Sequence, residues 1–61
     1  MQKKNLIMLE IDKDGNREWY NENGLLHRDS GPAIKRNDGH KEYWINGIQY
    51  IEEEFNNVKD R

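Results

Sequence analysis

The chain is predicted to be mostly β: a twisted antiparallel β-meander of about five short strands, closed by a C-terminal α-helix. Three observations lead there. Glycines stand at positions 15, 24, 31, 39 and 47, spaced by nine, seven, eight and eight residues, the rhythm of short strands joined by tight turns. Four of them follow a turn-forming partner, in Asp14-Gly15, Asn23-Gly24, Asp38-Gly39 and Asn46-Gly47. After position 50 the apolar period changes from two to that of a helix, with Ile51, Phe55 and Val58 at i, i+4 and i+7.

Each element follows from its residues. Positions 6–11 place Ile7, Leu9 and Ile11 on one face of a strand and Leu6, Met8 and Glu10 on the other. Positions 17–21, 33–36, 41–45 and 48–50 are the other runs rich in aromatic and β-branched residues. Apolar groups on both faces imply a sheet covered on one side and carrying a second cluster or an interface on the other. Each Asx-Gly pair suits a two-residue type I′ turn, which needs two left-handed residues. Ser30-Gly31-Pro32 is a turn of another kind, and Pro32, lacking an amide donor, belongs at a strand start or edge. The helix is expected over positions 51–60, with Glu52, Glu53 and Glu54 in its first turn and Lys59 near its end, an order that complements the helix dipole. No Ser, Thr, Asp or Asn caps it near Ile51, so packing must supply its stability. The chain is thus one domain, 1–61, with the sheet over 5–50.

Composition narrows the functional classes. With 61 residues, 33% hydrophobic and 36% charged, only one small domain with a marginal core fits, and self-association is a natural way to complete it. The absence of cysteine removes disulfides, thiolate metal sites and cysteine nucleophiles, and favours a reducing cytoplasmic setting. No stretch approaches a membrane span, and the start of the chain has too few apolar residues for a signal peptide. A net charge of −2 with interspersed signs leaves no electrostatic footprint for nucleic acid or an anionic membrane.

An internal repeat runs through the sheet. Residues 14–24, D-G-N-R-E-W-Y-N-E-N-G, align with residues 38–47, D-G-H-K-E-Y-W-I-N-G, once one residue near Asn21 is skipped. Trp19-Tyr20 then matches Tyr43-Trp44. A period near 24 residues is one hairpin per unit. The order of aromatic pair, Asn-Gly, His27-Arg28-Asp29-Ser30-Gly31-Pro32-Ala33, Asp38-Gly39 and a second aromatic pair resembles the H-R-x-x-G-P-A hairpin repeats, similar to a MORN-repeat variant, of uncharacterised phage, giant-virus and bacterial proteins. The resemblance covers about residues 14–50. It departs after Asn46-Gly47, where the helical tail replaces a second H-R-x-x-G-P-A string. What it implies is a twisted antiparallel sheet with a binding role, and it brings no catalytic residues.

Candidate chemistry is weighed on the same residues. His27, Asp29 and Ser30 are suitable types for nucleophilic catalysis, but neighbours in one turn do not surround a common reacting atom. The competing reading has His27 and Arg28 donating to turn carbonyls or carboxylates, with Arg28 reaching Glu18, Asp29 or Glu42. Asp12, Asp14 and Asn16 imitate a calcium loop, but Arg17 replaces its required glycine and Asn23 its bidentate glutamate. His27 and His40 alone do not make a zinc site, though they could bridge two subunits. No metal or cofactor is therefore expected. Trp19, Tyr20, Tyr43 and Trp44 are expected to form a cross-strand cluster, with one ring of each pair inward and the other outward.

These residues point to a non-enzymatic protein-binding module, with Trp19, Tyr20, Arg28, Tyr43 and Trp44 as the partner-binding set. The phage-like resemblance makes an inhibitor of a host defence protein, acting in the host cytoplasm, its most concrete form. One alternative is a sheet binding single-stranded nucleic acid or RNA, with Arg17, Lys35, Arg36 and Lys41 assisting the rings. The other is a self-assembling structural protein whose outer aromatic face is its own dimer interface.

Overall fold

The computed structural model describes residues 6–59. Five strands, β1 (Met8–Ile11), β2 (Arg17–Tyr20), β3 (Ile34–Lys35), β4 (Lys41–Ile45) and β5 (Ile48–Tyr50), are followed by one helix, α1 (Glu52–Lys59). The strands pair antiparallel in sequence order, β1-β2-β3-β4-β5, so the sheet is an open meander. Strands β4 and β5 have the expected bounds. Strand β1 begins two residues later than expected, β2 ends one earlier, and β3 loses one at each end. Positions 1–5, 60 and 61, the outer parts of the expected domain, sheet and helix, lie outside the described residues.

The turns divide into two types. Only Asn46-Gly47 forms the expected pair of left-handed residues, with φ of 50° and 82°. At the other three Asx-Gly pairs the glycine alone is left-handed, and the loop has three residues. Gly15 N–H donates to the Asp12 carbonyl (3.1 Å) and Asp12 N–H to the Asn16 carbonyl (3.0 Å), a type I turn ending in a glycine bulge. The same pair of bonds recurs at 21–25 and at 36–40. Their Asp14, Asn23 and Asp38 therefore stay right-handed. At the first two loops a side-chain oxygen explains this choice. Asp12 Oδ1 accepts from Asp14 N–H (2.9 Å) and Asn16 N–H (3.0 Å), and Asn21 Oδ1 accepts from Asn23 N–H (2.9 Å) and Leu25 N–H (3.1 Å). The carboxylate that resembled a calcium ligand thus closes a turn, and these bonds with Asn16 hold its pKa below the ordinary value.

Strand β3 is short because the place between β2 and β4 is filled by two separate pieces of chain. Residues 26–28 fill one end: Leu26 bridges to Tyr20, His27 N–H donates to the Trp19 carbonyl (3.0 Å), and Arg28 N–H to the Trp44 carbonyl (3.1 Å). Residues 33–35 fill the other: Ala33 accepts from Trp19 N–H and donates to the Glu42 carbonyl, both at 2.8 Å. Trp19 thus bonds both pieces, and residues 29–32 loop out between them. They are the middle of the H-R-x-x-G-P-A string, whose His27-Arg28 and Ala33 belong to the two paired pieces.

Opposite residues in an antiparallel pair share a face, so the register sorts the side chains. One face carries Met8 and Glu10, Glu18 and Tyr20, Ile34, Glu42 and Trp44, and Gln49. The other carries Leu9 and Ile11, Arg17 and Trp19, Lys35, Lys41, Tyr43 and Ile45, and Ile48 and Tyr50. Helix α1 docks on this second face, against β4 and β5 alone, through Phe55. The core is small: Ala33, Ile34 and Phe55 are the buried apolar residues among those described. Ala33 and Ile34 are adjacent in the central strand position and point to opposite faces, so each side of the sheet has its own buried centre. Ile51, expected in the helix stripe, is instead 63% exposed. It stands at the strand-to-helix junction, where its carbonyl accepts the Phe55 N–H (2.9 Å). The described residues form a slab of 39 × 26 × 15 Å, with α1 as a second layer over β4 and β5 alone.

Candidate functional site

The looped-out string folds back onto its own strand. The Arg28 guanidinium carbon lies 3.8 Å from the centroid of the Trp19 ring, a cation–π stack, and Nη1 donates to the Pro32 carbonyl (3.2 Å). Gly31 lies beneath it. A Cβ there would lie 3.4 Å from Arg28 Nη1, in van der Waals contact with the guanidinium. Arg28 therefore reaches neither Glu18, Asp29 nor Glu42, because Trp19 and Pro32 take the guanidinium first. His27 is equally committed. Its Nδ1 accepts the Asn46 N–H (2.9 Å), which places the proton of a neutral ring on Nε2, and Nε2 lies 3.3 Å from Asp29 Oδ1. The imidazole ties the string to the β4–β5 turn.

The face opposite the helix is organised by two carboxylates. Tyr20 Oη donates to Glu18 Oε1 at 2.5 Å, and Trp44 Nε1 donates to Glu42 Oε1 at 3.0 Å. Each acid stands two positions before its ring, so strand geometry puts both on one face. The negative acceptor favours the neutral phenol, and the Tyr20 pKa is pushed up to about 12. Glu42 also meets His40 Nε2 (2.8 Å), and its bonds to His40 and Trp44 hold its carboxyl below the usual range. Arg36 Nη1 is 4.0 Å from Glu18 Oε2. Ile34 lies between these two acid-ring pairs in the register and is 5% exposed.

The helix face differs in character. Tyr43 packs on Phe55 with ring centroids 4.8 Å apart and planes tilted by 43°. Burial is the main cause that raises the Tyr43 pKa. Beyond the helix, Arg17, Lys35 and Lys41 are directly opposite one another across three strands and are all exposed. No ion pair among the described residues involves them. At the far end of the sheet a depression of about 280 Å³ is lined by Leu6 and Ile7 together with Asn21, His27, Asp29 and Asn46.

The five expected partner-binding residues therefore do not form one patch. Trp19 and Arg28 stack on each other on the helix face, Tyr43 lies under Phe55 on that same face, and Tyr20 and Trp44 occupy the opposite face. The expected alternation within each pair is present, but the cross-strand cluster is not, because β3 separates β2 from β4. Missing from the sequence reading were Glu18 and Glu42 as hydrogen-bond acceptors for the rings. Their signal was present, as an acid two positions before an aromatic donor in both units. Among the described residues no three His, Cys, Asp or Glu side chains gather as a metal ion would need, and no helix is long and apolar enough to cross a membrane. No protein-family model, curated protein or solved structure matches the chain.

Proposed function

We propose that the protein is a non-catalytic protein-binding module and that the face of the sheet opposite α1 is its recognition surface. The observation that carries this reading is the face itself, on which no described element packs. Glu18 and Glu42 stand opposite the buried Ile34, and each carboxylate holds the half-buried ring two residues further on, Tyr20 or Trp44. Rings fixed in this way lose little freedom when a partner packs on them, and Tyr and Trp are the residues that most often dominate interface energetics. The same face carries Glu10, Glu18 and Glu42, which would oppose the phosphates of a nucleic acid. A protein partner is the better match. In its most concrete form, supported by the resemblance to phage-type hairpin repeats, the module inhibits a host protein in the host cytoplasm.

Affinity capture with wild type, Tyr20→Ala, Trp44→Ala and the opposite-face control Ile48→Ala tests the reading. A stoichiometric protein held by wild type and the control, but lost from both ring variants, supports it. Capture of no stoichiometric protein, or equal capture by all four, overturns it, and binding of labelled oligonucleotides at low salt would favour nucleic acid instead.

A further inference from the structure

We propose that two copies of the chain join edge to edge through β1, antiparallel about a two-fold axis at Leu9, to make one continuous ten-stranded sheet. Strand β1 is an outer strand, and its far edge has no partner among the described residues. Five of the eight exposed large apolar side chains lie within positions 6–11: Leu6 (57%), Ile7 (41%), Met8 (50%), Leu9 (46%) and Ile11 (56%). Edge strands are normally blunted by charge, proline or bulges, and this one carries a single charge, Glu10.

The hydrogen-bond parity shows which groups face the open edge. Asp12 N–H donates to Asn16 across the first hairpin, so in the ladder that continues from it the even residues of β1 turn their N–H and C=O groups toward β2. The odd residues Leu9 and Ile11 turn theirs outward, and Ile7, just before the strand, would continue the same parity when the edge is extended. Strand β2 agrees independently, since Trp19, opposite Leu9, bonds toward β3 through both its N–H and its C=O. The outward residues are also the ones whose side chains share the helix face.

A second copy fits this edge in one register. A two-fold axis normal to the sheet keeps the faces aligned, so odd residues must meet odd residues. Centred on Leu9, Leu9 meets Leu9 of the second copy and Ile7 meets Ile11, giving about six main-chain bonds, two for each such pair. Glu10 then lies opposite Met8. A centre one residue later would set the two Glu10 carboxylates face to face, and a centre one residue earlier leaves Ile11 without an apolar partner. The Leu9 register also extends one apolar row across the helix face, from Trp19 and Leu9 to Leu9 and Trp19 of the second copy. The pairing lies in the plane of the sheet and leaves the Tyr20–Trp44 face free, so it stands or falls separately from the proposed recognition surface.

Sedimentation equilibrium from micromolar to millimolar protein, with amide hydrogen exchange along β1, tests the proposal. The expected result is a monomer–dimer equilibrium that stops at the dimer. Met8 and Glu10 amides should be protected at every concentration, and Leu9 and Ile11 amides only as dimer forms. Leu9→Lys should raise the dimer dissociation constant about tenfold or more by placing two ammonium groups together. Leu9→Pro removes only an outward N–H and should do the same, whereas Glu10→Pro removes a bond to β2 and should destabilise the monomer. A strict monomer at millimolar concentration with Leu9 and Ile11 amides unprotected overturns the proposal, as does a dimer indifferent to Leu9→Lys.

Discussion

The two hairpin units of the sheet, residues 14–24 and 38–47, begin alike and end differently. Both open with a three-residue glycine-bulge loop, continue with a basic residue, Glu and two aromatics, and tie the second aromatic to that Glu. They part at Asn21. In the first unit this residue lengthens the loop, and its carboxamide oxygen caps the bulged turn. In the second unit, one residue shorter, the chain reverses through the type I′ Asn46-Gly47. Closure of the helix face differs as well. Trp19 is covered by Arg28 from the looped-out string, and the equivalent Tyr43 is covered by Phe55 from α1. Equivalent rings on the same face need a lid of some kind, and whatever follows the Asn-Gly supplies it: a cation in one unit, an apolar helix in the other.

The comparison is broken most severely at the apolar lid. Phe55 is 1% exposed, so Phe55→Ala should cost about 3–5 kcal/mol. In a domain this small that approaches the whole stability, and urea denaturation followed by circular dichroism should show α1 and the sheet lost together. The cationic lid is worth less. Arg28→Ala should cost about 1–2 kcal/mol, and Arg28→Lys should not restore it, because an ammonium lacks the planar guanidinium that stacks on Trp19. A double-mutant cycle sharpens this: a Cβ at 31 would rest on the guanidinium at van der Waals distance, so Gly31→Ala should be tolerated in the wild type, and any gain from that contact should disappear beside Arg28→Ala. Smaller again, Lys35→Glu should stabilise by about 0.2–1 kcal/mol per cross-strand pair, because it replaces the middle of the Arg17–Lys35–Lys41 row by an opposite charge, with the gain shrinking as salt is added.

The finest test is titration of the acid-ring pairs. Tyr20 has a raised folded-state pKa, so its contribution is complete below the ordinary value of 10.0 and is lost as pH rises toward about 12. Near-ultraviolet phenolate absorbance should follow this, and Glu18→Gln should move the transition back toward 10.0. Asp12 and Glu42 have the opposite sign. Their folded-state values lie below the ordinary 3.8 and 4.5, so the stability they add is present above those values and is lost as pH falls below them. Thermal transitions recorded from neutral to acid pH should therefore decline in that window.

The meander was legible because its cues are local. Each Asx-Gly pair marks a reversal, and successive hairpins with no room for a crossover must pair in sequence order. The turn types were less legible. A dipeptide such as Asp14-Gly15 fits either a type I′ turn or the end of a glycine bulge; Asp12 and Asn21 cap two of the bulged loops, but the loop at 36–40 takes the same form without such a cap. The recognition surface was half legible. Alternation sent Tyr20 and Trp44 to one face and Trp19 and Tyr43 to the other, but which face would be covered was not encoded in either pair.

By itself, the sequence determined where the chain turns, how many strands it makes, which side chains share a face and where the helical period begins. All of these follow from backbone preferences and periods within a few residues. Only the tertiary structure decided that residues 26–28 and 33–35 divide one strand position, that Arg28 lies on Trp19, that α1 packs on β4 and β5 and not on β1 and β2, and that the apolar edge of β1 has no partner among the described residues. Those outcomes depend on groups far apart in the chain, such as the Asn46 N–H and the His27 imidazole, 19 positions apart, which become hydrogen-bond partners only once the strands are side by side.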